Sequence, residues 1–291
     1  MHRRALAALV TFAVLAARVA LAGPSAASGR FVMAEPAPGS RASVESQFVI
    51  PSFDDVDDLI GGSLLLDGRW QAFPSFAFEA GWNFSWAAIN DATDGIMLGN
   101  PSVGVAWNPS PAGADAFSVA FRLYFPVADP DDLAELMALG AGMIPRYYDP
   151  GAHFPKAWTL RPSVRYRAVF SSVTLAVEGG LDVVVPTGDT RTIDSLVDLF
   201  AALNVSAGPG SFVRPFGELF LLEQLRIDGR TVTSGDYTYS TSPHKIMALA
   251  ASGGLRFGGE GSAWDLYLAL PLLDDDYNDG YDLAFGVRAG F

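Results

Sequence analysis

The constraint that most narrows the fold is a period-two alternation running from about residue 43 to the last residue. In the final segment Tyr281, Leu283, Phe285, Val287, Ala289 and Phe291 share one face, and Asp282, Ala284, Gly286, Arg288 and Gly290 share the other. Segment 264–272 repeats the pattern, with Trp264, Leu266, Leu268, Leu270 and Leu272 set against Asp265, Tyr267 and Ala269. Segment 117–125 sets Phe117, Val119, Phe121, Leu123 and Phe125 against Ser118, Arg122 and Tyr124. A period of two is a strand, because successive side chains point to opposite faces. One greasy face and one small or charged face is the pattern of a transmembrane strand, with lipid outside and lumen inside. A secreted β-sandwich also alternates, but its outer face is polar. Here the charge-free face carries Leu, Val, Phe and Trp without interruption.

The predicted fold is all-β, a transmembrane antiparallel up-and-down β-barrel of about twelve strands. The strands fall near 43–51, 61–70, 76–87, 98–108, 117–127, 157–168, 173–186, 196–206, 212–225, 244–257, 264–272 and 280–291. In the second of these, Asp67-Gly68 also fits a tight hairpin turn. Five strands hold at least two interior charges: Asp67 with Arg69, Arg161 with Arg165 and Arg167, Glu178 with Asp182, Arg214 with Glu218, and Asp282 with Arg288. Within each, all charges share one face, which random placement yields about once in 64. Glu223 and Lys245 break parity and are assigned to strand ends, outside the membrane core. The segregation has a cause: Arg or Lys on the lipid face at mid-membrane costs about 2–4 kcal/mol.

The connections 71–75, 109–116, 169–172, 207–211 and 258–263 are brief. Those at 52–60, 88–97, 128–156, 187–195, 226–243 and 273–279 are mostly longer. Short periplasmic turns and longer outer loops are the known asymmetry of such barrels. Trp70, Trp107 and Trp264 fall near the short-turn end, and Trp86 and Trp158 near the long-loop end, as two aromatic girdles.

Ahead of the barrel, His2-Arg3-Arg4 is basic and Ala5 to Ala17 is apolar except for Thr11. Ala20-Leu21-Ala22 then fits a signal-peptidase site. The domain reading is a signal peptide at 1–22, a flexible lead-in at 23–42 rich in Ala, Ser, Pro and Gly, and the barrel at 43–291. Export followed by barrel assembly implies the outer membrane, with its lipid and lipopolysaccharide as surroundings. The formal net charge is −13, and loss of Arg3, Arg4 and Arg18 with the signal makes it −13 − 3 = −16. That excludes a nucleic-acid binder driven by bulk charge. The absence of cysteine excludes a disulfide scaffold and a thiolate metal site.

No catalytic residue and no cofactor are assigned. A serine hydrolase needs a histidine oriented beside its nucleophile, and the three histidines are His2, His153 and His244. His2 leaves with the signal; His153 is expected in the long loop and His244 at a strand's outer end, both exposed. Loop carboxylates keep an outer-membrane hydrolase as a third functional reading. Asp54, Asp55, Asp57 and Asp58 form one outer cluster, and Asp274, Asp275, Asp276 and Asp279 another. Carboxylates suit Ca²⁺ or Mg²⁺, but neither spacing matches an EF-hand loop, and no metal site is assigned.

The interior faces carry the candidate lumen residues. Arg122, Arg161, Arg165 and Arg167 fall on 117–127 and 157–168. Glu178, Asp182 and Asp198 follow on the next two strands, and Arg214 and Glu218 on 212–225. Two readings stay open. In an open pore the sidedness makes a transverse field that orients dipolar solutes; otherwise the charges form wall salt bridges. Phe200, Phe216 and Phe220 also face inward, as a greasy track or as filling. A twelve-stranded barrel lies between the filled and the open sizes. In the longest loop, Asp129-Pro130-Asp131-Asp132 before Leu133, Leu136 and Met137 marks a helix start, with Gly140 a stop after about two turns. Such a helix caps the mouth, folds into the lumen or meets a partner.

The run from Tyr281 to Phe291 resembles the C-terminal β-signal of bacterial outer-membrane proteins, with Tyr281, Leu283, Phe285, Val287 and Phe291 as its alternating apolar positions. The resemblance implies recognition by the barrel-assembly machinery. Gly99-Asn100-Pro101-Ser102-Val103-Gly104-Val105-Ala106-Trp107 is similar to the Gly-Asp-x-x-Leu-Gly-x-x-Tyr strand of the family named for the meta-cleavage pathway of phenol degradation. Phe125-Pro126 and Val185-Pro186-Thr187-Gly188-Asp189 resemble that family's Leu-Pro-Thr-Gly-Asp strand ends. Asn100 stands in place of the usual Asp, and the Phe125-Pro126 copy lacks Thr-Gly-Asp. The resemblance implies an outer-membrane channel or transporter for organic compounds. The expected function is therefore passage of small molecules, including aromatic or apolar ones, through the lumen. A non-conducting structural or surface-interaction barrel is the alternative.

Overall fold

A computed structural model describes residues 41–50, 59–89, 94–109, 116–131, 133–143, 149–187, 193–207, 212–229, 231–234, 237–240, 247–258, 263–274 and 283–290. The strands are β1 (Arg41–Ile50), β2 (Leu59–Phe73), β3 (Phe76–Ile89), β4 (Asp94–Leu98), β5 (Ser102–Trp107), β6 (Ala116–Tyr124), β7 (Ala157–Val169) and β8 (Val173–Pro186). They continue as β9 (Ile193–Ala207), β10 (Val213–Gly229), β11 (Thr231–Ser234), β12 (Tyr237–Ser240), β13 (Met247–Gly258), β14 (Ala263–Asp274) and β15 (Leu283–Gly290). Thirteen segments form one sheet, and β11 and β12 form a separate hairpin between β10 and β13. All pairings are antiparallel and most join neighbours in the chain; β10 pairs directly with β13, and β3 with both β4 and β5. β1 pairs with β15 on one side and β2 on the other, and β2 pairs with β3, so the ladder returns to its start.

Two expectations need correction. The strand predicted at 98–108 starts earlier, inside the predicted connection 88–97, and is interrupted: β4 pairs with Phe84–Ala88 of β3 and β5 with Phe76–Gly81 of the same strand. Counting β4 and β5 as one stave, the thirteen segments make 13 − 1 = 12 staves. The break at Gly99-Asn100-Pro101 has a local cause. Pro101 has no N–H for the ladder, and the Asn100 N–H is drawn to the carbonyl of Ala152 at 2.8 Å. Glu223, expected at a strand end, lies well inside β10, which runs on to Gly229. It is the tenth residue beyond Val213; ten residues at 3.3 Å and a tilt near 40° climb about 25 Å, the height of the apolar band. The long strand thus carries Glu223 to the outer edge of that band. β2 passes straight through Asp67-Gly68, with Asp67 opposite Gly81, and the turn falls at Pro74-Ser75.

The two faces sort as alternation requires. Outward positions include Leu266 (54% exposed), Leu268 (53%), Leu270 (45%) and Leu272 (50%) on β14, and Phe117, Val119 and Phe121 on β6. Among the described strand side chains, Glu223 is the one charge on this face. Trp70 and Trp107 are exposed near the short turns, and Trp70 stacks on Phe78 with centroids 5.6 Å apart. Inward positions are buried: Arg69, Glu79, Arg122, Arg161, Arg165, Glu178, Asp182, Asp198 and Glu218. The signal and lead-in through residue 40, Asp54–Asp58, Asp275, Asp276, Asp279, His2, His244, Lys245, Tyr281, Asp282 and Phe291 lie outside the described residues.

The long connection between β6 and β7 holds α1 (Leu133–Met143) and a 3₁₀ turn at Pro150–Ala152. The helix runs past Gly140 to Met143, a turn longer than expected, and it packs on β2, β3 and β4.

The outward face predicts a simple outcome. Leu268→Arg places a cation in the apolar belt and is expected to cost about 2–4 kcal/mol, measured by denaturant unfolding from lipid vesicles. A cost below 0.5 kcal/mol would place Leu268 away from lipid.

Candidate functional site in the barrel lumen

The interior is organised around one carboxylate. Glu79 of β3 accepts from three guanidinium groups: Arg69 of β2 at 3.3 Å, Arg122 of β6 at 3.4 Å and Arg165 of β7 at 2.7 Å. Arg122 also reaches Asp67 at 3.2 Å, and Arg165 reaches Glu178 of β8 at 3.0 Å. The network therefore ties β2, β3, β6, β7 and β8 across the barrel, beyond neighbouring staves. Small residues make the chords possible. A β-carbon at Gly81 would sit 2.8 Å from Asp67 Oδ1 and 3.5 Å from Arg122 Nη1. One at Gly104 would sit 2.8 Å from the carbonyl of Phe121 and 3.3 Å from the Arg122 α-carbon.

A second polar cluster lies toward the long loops. Asp149 accepts from Tyr124 Oη at 2.5 Å and from Arg161 Nη1 at 2.7 Å. Arg161 Nε is 3.3 Å from Asp182, and its guanidinium covers the Phe200 ring at 4.2 Å. His153, expected to be exposed, is 1% exposed and pairs with the Asn83 amide. The reason is that the segment carrying Asp149 and His153 folds inward, held by Asn100. The Asn100 amide donates to the carbonyls of Gly151 and Phe154, and its oxygen accepts from the N–H groups of Val127 and Ala128. Nearby, Thr187 Oγ1 donates to the Lys156 carbonyl, and the Phe125 N–H donates to Pro101. Asn100 and Phe125, each from a motif noted in the sequence, thus lie where the fourth stave is broken, and Thr187 is linked to them through Lys156 and Ala128. Outside the membrane, Lys156 pairs with Asp129 at 2.7 Å, and this hydrogen bond and charge raise its pKa.

The helix is folded into the lumen; it does not cap the mouth. Its seat is made by the absence of side chains. A β-carbon at Gly61 would meet Ala141 Cβ at 2.5 Å, and one at Gly95 would fall 2.0 Å from the Ala134 carbonyl. One at Gly142 would overlap Ser85 Oγ. Ala87, Met97, Ala138, Leu139 and Ala141 fill the interface. Leu136 is 50% exposed, on the side turned from the wall.

The opposite arc carries an apolar cluster among buried polar residues. Phe200 of β9 and Phe220 of β10 stack with centroids 6.4 Å apart and cluster with Ala176, Ala202, Leu222, Ala248 and Ala250. Phe216 is buried too, with Arg256 5.6 Å from its ring. Glu218 accepts from Asn204 and Ser252, both at 2.9 Å, and Arg214 donates to the Gly258 carbonyl at 3.3 Å. Arg167 lies half-buried toward the short turns. The arginines thus form buried bridges, not a row facing an open pore. Glu79 and Asp149 carry no motif that marks them in the sequence, whereas Asn100 is legible there within its motif and His153 as a loop histidine. Glu79 was within reach, as the one charged residue of 76–87, on its interior face.

The structure resembles solved outer-membrane channels. An outer-membrane channel of Pseudomonas putida F1 aligns with a TM-score of 0.64 and 10% identity over 91% of this chain and 99% of that one. The NanC porin aligns with a TM-score of 0.50 and 8% identity over 85% of this chain and 98% of that one. No family model matches the chain, and no curated protein matches it. The fold is that of an outer-membrane β-barrel, and its uncharged outer belt is a surface for lipid.

Glu79→Gln leaves three buried guanidinium groups short of a partner. It is expected to destabilise the folded barrel by about 3–5 kcal/mol, read from the denaturant midpoint. Replacing Glu79 and Arg165 together by methionine is expected to recover part of the loss.

Proposed function

We propose that the protein is a gated outer-membrane channel for small, largely apolar molecules, aromatic ones included. The observation that carries this reading is the manner in which α1 is held. Gly61, Gly95 and Gly142 let it lie against the inner wall by van der Waals contact, whereas the network around Glu79 is held by ion pairs to three guanidinium groups. Contacts between small residues are released at lower cost than buried ion pairs, which cost several kcal/mol to break. Withdrawal of α1 would enlarge a lumen whose far wall is Phe200, Phe216, Phe220 and Leu222. Apolar lining with few convergent polar groups suits a small organic solute. The likeness of Gly99–Trp107, Phe125-Pro126 and Val185–Asp189 to the phenol meta-cleavage family supports the same class of solute.

The proposal includes a signal peptide at 1–22, a lead-in before the barrel, and a C-terminal strand read by the barrel-assembly machinery, with lipopolysaccharide around the outer rim. A non-conducting structural barrel is the second reading, favoured by the burial of Arg122, Arg161 and Arg165. Enzymatic activity forms no part of the proposal.

The test is uptake of a labelled monoaromatic by Gram-negative cells with intact lipopolysaccharide. Expression is expected to raise uptake several-fold over empty cells. Gly95→Val, whose side chain collides with the Ala134 carbonyl, is expected to raise it further by displacing α1. Folded protein in the outer membrane with no gain in either case would favour the structural barrel.

A further inference from the structure

We propose that the lumen also contains a divalent-cation site formed by Asp182, Asp198 and Gln224. The three residues stand in one row across β8, β9 and β10. Asp182 is directly opposite Asp198, and Asp198 directly opposite Gln224. All three point inward and are buried, at 0%, 2% and 5% exposure. Three of their oxygens, Asp182 Oδ2, Asp198 Oδ1 and Gln224 Oε1, have no hydrogen-bond partner, and Asp182 Oδ1 lies 3.3 Å from Arg161 Nε. The Gln224 amide donates to Asp198, and its own carbonyl oxygen is buried without a donor.

Charge makes the same demand. The cation that bears on both carboxylates is Arg161, and its short hydrogen bond goes to Asp149 at 2.7 Å. Asp149, Asp182 and Asp198 all bear on the one guanidinium of Arg161, with Glu178 also acting on Asp182 and Arg122 on Asp149. Buried charge without a partner is costly, and unpaired buried acceptors add to that cost. A hard divalent cation answers both, since Ca²⁺ takes carboxylate and side-chain amide oxygens and completes its shell with water. Residues directly paired across strands hold their β-carbons about 4.5–5.5 Å apart, close enough for both carboxylates to reach one ion. The amide separates this site from the acidic loop clusters: it adds a buried, unpartnered, uncharged oxygen where simple charge accumulation would not place one. The register shift in the β9–β10 pairing just after Gln224 ends the regular ladder beside the row.

The experiment uses the refolded mature protein in detergent, stripped with chelator and titrated with Ca²⁺ or Mg²⁺ alone. Binding stoichiometry and thermal midpoint are followed together. Wild type is expected to bind one more Ca²⁺ per chain than Asp198→Asn and to show a rise of several degrees that the variant lacks. Gln224→Leu is expected to weaken the same site about tenfold. Asp198→Asn keeps the shape and removes a buried charge, so in chelator it is expected to fold at least as well as wild type. Any ions bound by the outer loops remain in both proteins and cancel. Equal stoichiometry in wild type and Asp198→Asn would overturn the proposal. So would stabilisation of wild type by mild acid alone, with no response to either metal, which would show that a shared proton neutralises the pair.

Discussion

Everything in this structure depends on the lack of water in the hydrocarbon layer. A backbone N–H or C=O left unpaired there costs several kcal/mol, so a strand can cross only if both its edges are bonded. The return of the ladder from β15 through β1 to β2 meets that condition at the point where chain order alone would leave two free edges. The same lack of water keeps charge off the outward face and drives it inward, where Arg69, Arg122, Arg161 and Arg165 find carboxylates. The interior chemistry is therefore a consequence of the exterior solvent.

Once gathered inside, the charges cannot remain unpaired. Glu79 neutralises part of three arginines and so joins staves that are not neighbours, which a wall salt bridge would not do. This stiffens the arc from β2 to β8. The arc from β9 to β13 sets Phe200, Phe216, Phe220 and alanines beside smaller polar groupings such as Glu218 with Asn204 and Ser252. Against the first arc, at the long-loop end, lies α1, held by shape. Asn100 sets the position of the whole inward segment: it breaks the fourth stave and spends its side chain on backbone groups of Val127, Ala128, Gly151 and Phe154. One residue thus links the wall, the helix connection and the His153 turn.

The barrel was legible in the sequence because alternation and charge parity are properties of single strands. Asp67 and Arg69, or Arg161 and Arg165, reveal their face without knowledge of any partner. The interior was legible only as an inventory. The Arg165–Glu79 pair links residues in staves three apart, and nothing in the spacing of either segment points to the other. The split of 98–108 was concealed because Gly99-Asn100-Pro101 looks like a strand end with a proline; the reason for the split lies in Ala152, some fifty residues away. His153 looked like a surface residue because its loop is long and polar at its start, and only the inward fold of that loop buries it. The helix itself was visible from Asp-Pro and the following acids, but its destination required Gly61 and Gly95, whose role is to be absent.

On the proposed function, α1 closes the lumen. The most direct test is single-channel recording of the mature protein in a planar bilayer, beside a variant in which 133–143 is replaced by a glycine-serine linker. The account predicts a wild type that is mostly shut and a variant with steady, larger steps of defined size. Identical traces from two correctly folded proteins, whether both silent or both open, would contradict it.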